Sequence, residues 1–393
     1  MTQAWPMVEL GTISESRLGK MLSPESKTGA EEMPYLGNAD VRWGRLELEG
    51  LRTMMFTSGE QLEFSLRRGD VLICEGGEVG RTAVVDEDLD GVFFQKALHR
   101  VRCSDDLDPR YLFRFMRFAA DTGRLDDFSS QATIKHLTGV KLRRLPIPLP
   151  PIEEQRRIAA VLDAADDLRT KRRQALAKLD TLTQAIFIDM FGDPGANPEG
   201  LEVLPLIELV DPERPITYGI LKPGADIPDG VPYVRVVDMV DGGVDHDAVR
   251  RTAPEISQQY KRSVLLPGDL LMSIRGHVGR LALTPTELEG ANITQDTARL
   301  AIIGAEAEYM LACLRSESLQ RWMRIFTKGA AVKGINLGDV KKIPIPLPDA
   351  EQQRSFAERS SAVALARRRV LATTDHLDTL FSALQQRAFA GEL

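Results

Sequence analysis

The 393-residue sequence predicts a mixed α/β (α+β) fold: two α/β domains separated by an antiparallel pair of long coiled-coil helices, forming a pseudo-twofold internal repeat. Three observations predict it. The Pro-rich phrase LPIPLPPIEEQRRI, from Leu145 to Ile158, returns as IPIPLPDAEQQRSF from Ile343 to Phe356, 198 positions on (343 − 145 = 198). Other phrases recur in the same order at nearly the same shift. After each Pro-rich phrase the chain turns to an apolar pattern with steps of three and four, the signature of a heptad seam.

The elements follow in order. Residues 1–150 and 200–348 form the two domains, and 151–192 and 349–390 the two helices. Within the domains PYLGNAD at Pro34 matches PYVRVVD at Pro232, and GDVLICEGGEVGRTAVV from Gly69 matches GDLLMSIRGHVGRLALT from Gly268. YLFRFMR at Tyr111 is echoed by YMLACLR at Tyr309. β-branched runs between Gly-containing turns read as strands. A period near 200 residues is far too long for a solenoid, so this is a duplicated domain.

Pro148, Pro150 and Pro151 suit an extended approach and a first helical turn, and Glu153 and Glu154 suit the positive end of the helix dipole. The seam of the first helix runs through Ile158, Leu168, Leu179 and Ile186, and that of the second through Phe356, Val363, Leu377 and Leu384. The linker GDPGANPEG joins the end of helix one to the second domain, which feeds the start of helix two. The helices therefore run antiparallel, each about 60 Å long at 1.5 Å per residue.

Composition excludes several classes. Cys74, Cys103 and Cys313 are scattered and odd in number, against a disulfide framework or zinc site. No segment is long and apolar enough for a membrane, and MTQAWPMVEL lacks the features of a signal peptide, so a cytoplasmic location is expected. The net charge of −7 is mildly unfavourable for nucleic acid, but basic residues gather locally at matched positions ahead of each helix. No catalytic motif occurs: GxxxxGK[ST], HExxH and GxSxG are all missing from the sequence. No catalytic and no metal-ligating residue is expected.

Candidate DNA-binding residues lie mainly in two loops per copy. SIRGHVGR carries Arg275, His277 and Arg280 in a Gly-rich turn, where a guanidinium fork can address guanine; its counterpart CEGGEVGR carries Glu75, Glu78 and Arg81. SSQATIKHL, with Ser130, Gln131 and Lys135, matches TKGAAVKGI, with Lys328 and Lys333, and small residues there let backbone approach phosphate. Arg17, Lys20, Tyr35, Arg42, Tyr218, Lys222, Tyr233 and Arg235 complete the set, although aromatics after a proline serve the core more often. A hairpin with charged tips would explain any one of these residues equally well; their recurrence favours binding.

The tandem layout, with PLPPIEEQRRI and PLPDAEQQRSF after variable α/β regions, resembles the DNA-specificity subunit of Type I restriction-modification systems across essentially the whole chain. The resemblance implies that 1–150 and 200–348 are target-recognition domains. Each would read half of a bipartite asymmetric sequence in double-stranded DNA, and the helices would set the spacer. The implied partners are two copies of a DNA methyltransferase (modification) subunit and up to two restriction/translocase subunits. S-adenosylmethionine, ATP and Mg would belong to those partners and none to this chain, which would not itself be an enzyme. Two other classes remain open from the residues: a non-catalytic interaction scaffold, or a nuclease or methyltransferase with an unrecognised motif.

Overall fold

The computed structural model describes residues 5–21, 31–128, 136–329 and 332–393. The chain divides into two compact units, Met1–Arg173 with Thr373–Leu393, and Gln174–Ala372.

In unit 1 a four-stranded antiparallel sheet has the order β2-β8-β5-β6, formed by β2 (Ser14–Leu18), β5 (Val71–Cys74), β6 (Thr82–Val84) and β8 (Leu98–Cys103). Val71 faces Val101 and Cys74 faces Leu98 across its central pair. A three-stranded sheet places β3 (Glu31–Leu36) between β4 (Arg52–Phe56) and β7 (Phe93–Phe94), the latter parallel to it. A two-stranded ribbon joins β1 (Met7–Glu9) to β9 (Pro146–Pro148). Helices α1 (Ser58–Glu63) and α2 (Pro109–Asp121) precede the long α3 (Ile152–Phe191).

Unit 2 repeats this plan. Its four-stranded sheet is β11-β17-β14-β15, from β11 (Thr217–Tyr218), β14 (Leu270–Ser273), β15 (Leu281–Leu283) and β17 (Thr297–Leu300). Its three-stranded sheet is β13-β12-β16, from β12 (Val231–Val234), β13 (Arg250–Thr252) and β16 (Asn292–Ile293), and its ribbon pairs β10 (Glu202–Pro205) with β18 (Pro344–Leu347). Helix α4 (Pro254–Gln259) matches α1, and α5 (Ala307–Arg315) matches α2. Then come α6 (Glu317–Phe326) and the long α7 (Ala350–Ala390). The two sheets of each unit share the order and direction of their counterparts, which establishes the internal repeat.

The repeated Pro-rich phrase is the joint where sheet and helix are bonded together. Prolines lack the N–H of a ladder, so they suit a short edge ribbon, and β9 and β18 are such strands. The Tyr111 hydroxyl donates to the Pro148 carbonyl at 2.7 Å, and the Tyr309 hydroxyl to that of Pro346 at 2.5 Å. Gln155, fully buried, donates from Nε2 to the carbonyls of Pro150 and Asp106 (2.8 Å each), while its Oε1 accepts from the Asp108 amide at 2.9 Å. Gln353, 198 positions on, donates to the Pro348 carbonyl at 2.8 Å and accepts from the Glu306 amide at 2.9 Å. Each glutamine satisfies buried backbone groups that an apolar side chain would leave orphaned.

The repeated Gly-Asp pair has an equally local cause. Gly69 and Gly268 take φ of +89° and +82°, a region other residues avoid. The buried carboxylates that follow accept from the amides of Arg67 and Leu266. Their counter-ions differ in origin. Asp70 is held by Arg102 from β8 at 2.8 Å, whereas Asp269 is held by Arg214, ahead of β11, at 2.6 Å.

The long helices pair antiparallel within each unit. In unit 1 Arg169 bonds Asp378 at 2.6 Å and Arg157 bonds the Leu393 carbonyl at 3.0 Å, so rising numbers meet falling ones. In unit 2 Arg367 bonds Asp180 at 2.6 Å, and the rings of Phe187 and Phe356 lie 5.6 Å apart. Aromatics fix both helix–domain contacts: Phe389 meets Tyr111, Phe115 and Phe118 in unit 1, and Phe187 and Phe191 meet Tyr309 in unit 2.

The seam is shallower than the heptad count suggests. Ile158, Phe356 and Val363 are buried, while Leu179, Ile186, Leu377 and Leu384 are half-buried. Leu168 is a correction: it is 45% exposed. The Arg169 guanidinium, 4.2 Å from the Phe381 ring, covers the apolar surface at that level instead. A long charged side chain laid over an aromatic face buries apolar area while its head stays wet. No helix among the described residues is long and apolar enough to cross a membrane.

Candidate nucleic-acid interface

In unit 2 the chain leaves β14 at Ser273 and turns through Gly276 (φ +75°) and Gly279 (φ +89°). Ser273 staples the turn: its hydroxyl donates to the His277 carbonyl and accepts from the Arg280 amide, and its carbonyl accepts from the Gly279 amide. Arg275 and His277 are thereby left exposed.

The second loop closes on itself through paired 2.8 Å bonds between Lys328 and Gly334. It is then stitched to the first: the Gly276 amide donates to the Lys333 carbonyl at 2.8 Å, and the Ile335 amide to the Ile274 carbonyl at 2.9 Å. Two segments more than fifty residues apart thus share one surface, on which Arg275, His277, Lys328 and Lys333 are all exposed. One further member, Asp296, has no signal in the sequence pattern; its carboxylate lies 3.8 Å from the Arg275 guanidinium. The separation is long and the Arg275 side chain is exposed, so the pair is weak and leaves Arg275 free to exchange partners.

Unit 1 carries the same stitch, with the Leu137 amide donating to the Glu75 carbonyl at 2.7 Å. By that correspondence Gly76 stands where unit 2 has Arg275, and Glu78 where it has His277. Glu78 accepts from the Trp43 indole at 2.5 Å, and the Arg117 guanidinium lies 4.9 Å from the centre of the Trp43 ring. Ser130, Gln131 and Lys135 lie outside the described residues. One scaffold therefore presents an acidic turn in one copy and a basic turn in the other.

The remaining candidates are not part of this surface. Arg81 and Arg280 play the same structural role in the two copies, since each guanidinium donates to a carbonyl of the 3-10 turn opposite, Asn38 at 2.6 Å and Val236 at 3.0 Å. Tyr35 and Tyr233 are corrections, being 4% and 3% exposed in the domain interiors. Each lies in the buried end of its strand, β3 or β12, beside an equally buried Leu36 or Val234. Lys20 is also claimed internally, by Glu60 and the Met55 carbonyl at 2.7 Å each, and lies 4.9 Å from the centre of the Phe56 ring. Arg235 grips Asp238 at 2.6 Å. Arg17 pairs with Glu63, and Arg42 with Glu47 at 3.7 Å. Tyr218 and Lys222 are exposed at and beyond the end of β11, without a bond to the two stitched loops among the described residues. Among the described residues no three His, Cys, Asp or Glu side chains gather as metal ligands.

A family model described as the Type I restriction modification DNA specificity domain matches residues 3–179 and 221–364. The EcoBI specificity subunit of Escherichia coli is 29% identical over 67% of this chain and 62% of its own length. The MjaVIII specificity subunit of Methanocaldococcus jannaschii is 22% identical over 91% of this chain and 86% of its own. Two solved structures share the fold. One, described as the structural basis of complex assembly and conformational transition of the type I R-M system, has TM-score 0.63 at 22% identity, covering 99% of this chain and 98% of that one. The other, the Type-I restriction-modification S subunit from M. genitalium, has TM-score 0.59 at 15% identity, covering 98% of this chain and 96% of that one.

Proposed function

Because the chain belongs to the Type I restriction-modification DNA-specificity family, we propose that it is the sequence-reading, non-catalytic subunit of such a system. Residues 1–150 and 200–348 each read one half of a bipartite duplex target, and the long helices set the gap between the halves. Two methyltransferase subunits and up to two restriction/translocase subunits join it in the cytoplasm. They bring S-adenosylmethionine, ATP and magnesium and carry out adenine methylation or cleavage.

The observation that carries this reading is the stitched pair of loops in unit 2, with its reversed charge in unit 1. Phosphate contacts position a protein on DNA, and base-edge contacts specify. Lys328 and Lys333 are flexible point charges suited to phosphates, while Arg275 projects a rigid donor fork suited to guanine O6 and N7. A scaffold held by main-chain bonds tolerates any side chain at its tips, so two copies of one fold can read unlike half-sites.

Duplex binding by the assembled complex tests this. Lys333→Ala lowers affinity alike for all sequences and reduces the salt slope by about one. Arg275→Ala costs about 1–3 kcal/mol of discrimination at one base pair of one half-site. If both variants match the wild type in affinity, salt slope and specificity, the assignment of this surface is wrong.

A further inference from the structure

Unit 2 contains a cavity of about 240 Å³ whose lining includes Arg214, Lys261, Arg262 and Arg299, with Glu213 as its carboxylate. Arg299, on β17, is 1% exposed. Its Nη2 donates to the carbonyls of Pro215 and Arg262 at 3.1 and 3.0 Å, but its buried Nε and Nη1 have no hydrogen-bond partner among the described residues. Burying an ionised guanidinium with donors unmet is costly unless something accepts from them. The neighbouring charges do not supply an acceptor. Asp269 is engaged by both Nη atoms of Arg214, and the exposed Lys261 and Arg262 have no ion pair among the described residues. Burial and the nearby Arg214 push the Arg299 guanidinium below its ordinary value, the sign expected of a cation crowded by cations.

Unit 1 supplies an internal comparison. Arg100, 4% exposed on β8, is the counterpart of Arg299, donating to the carbonyls of Glu63 and Ser65 at 3.0 and 2.7 Å. Holding those backbone groups is a structural role shared by both copies. The rim is not shared. Matched through that bond, Glu63 occupies the place of Arg262 and Leu62 that of Lys261. At these two positions unit 1 thus has an acid, itself paired with Arg17, and an apolar side chain, where unit 2 has two cations beside an open cavity. Among the described residues Arg100 leaves its Nε without a partner, Arg299 both Nε and Nη1.

We propose that this cavity in unit 2 is an anion site that takes a phosphate group, with Arg299 as its floor and Lys261 and Arg262 as its rim. The group is either a free phosphate ion or a backbone phosphate of bound duplex. The inference stands apart from the base-reading surface and does not depend on it.

The test titrates the full-length chain with sodium phosphate against sodium chloride of equal ionic strength, followed by calorimetry and phosphorus NMR line width. One saturable site per chain is expected. Replacing the rim with its unit 1 equivalents, Lys261→Leu with Arg262→Glu, weakens it at least tenfold, and Lys261→Leu alone weakens it measurably. Both residues are exposed, and the residue at 262 keeps the carbonyl that Arg299 needs, so circular dichroism and the melting temperature stay at wild-type values. Repeating the titration with saturating duplex separates the sources: displacement identifies a backbone phosphate, and undisturbed binding a free ion. The proposal fails if phosphate gives no saturable signal beyond chloride, if two equal sites appear, or if the double variant binds as the wild type does.

Discussion

Replacing Gln155 with alanine removes the acceptor for the Asp108 amide and the donor for the Asp106 and Pro150 carbonyls. Asp106 is exposed, so water takes over its carbonyl. The Asp108 amide and the buried Pro150 carbonyl lose their partner inside the joint. At about 1–3 kcal/mol for each unsatisfied buried group, the change costs about 3 kcal/mol. Hydrogen exchange followed by mass spectrometry reads this locally, because opening free energies differ between regions of one native chain. With about 1.4 kcal/mol per factor of ten, the peptide carrying the Asp108 amide exchanges roughly 100-fold faster. The peptide carrying the Glu306 amide in unit 2 keeps its rate. Gln353→Ala reverses the pattern. Gln155→Glu is no rescue, since a second oxygen then faces the Pro150 carbonyl. A change under about threefold, or one spread equally over both units, would refute the view that each glutamine locks its own helix to its own domain.

Phe389→Ala empties a site bounded by three rings of unit 1 and costs about 3–5 kcal/mol in urea unfolding, while Leu380→Ala, at a side chain 54% exposed, stays within about 0.5 kcal/mol. The three thiols are masked in the native chain. Burial lifts Cys74 to about 11 and Cys103 and Cys313 to about 12, so a thiolate-selective disulfide reagent at pH 8 labels none of them until denaturant is added. Because the raised values favour the protonated folded state, their contribution to stability is full below about pH 9 and declines as pH climbs from 9 toward the folded values, which the pH dependence of the urea midpoint measures.

The repeat, the long helices and their direction were legible in the sequence, because duplicated phrases and heptad spacing are written along the chain. So was the importance of the Pro-rich phrase, although not its mechanism. Gln155 and Gln353 stood in both copies, but only the positions of Asp108 and Glu306 in space reveal what each one holds. The candidate site was legible as loops and not as residues. SIRGHVGR and TKGAAVKGI were found, but their contact passes through main-chain atoms that carry no side-chain identity. Tyr35, Tyr233 and Lys20 misled for a related reason: a polar tip on an apolar body is as fit for a core edge as for a ligand. Leu168 misled because a seam count cannot anticipate an arginine lying over a neighbouring ring.

The different origins of Arg102 and Arg214 bear on how such domains can be traded. Ala301 stands where unit 1 has Arg102, and the stretch Gly11–Ser16 ahead of Arg17 contains no cation. A chimaera that moved only the Gly268–Ile302 segment into the first domain would therefore bring Asp269 without Arg214 and without an arginine at the place of Arg102, leaving a buried carboxylate without its ion-pair partner, which costs several kcal/mol. The opposite graft would set Arg102 and Arg214 against one carboxylate. The smallest fragment that carries its own neutrality runs from the residues ahead of the first sheet strand to the end of the last, so the heritable cassette is the whole domain and not the loops that distinguish one from another.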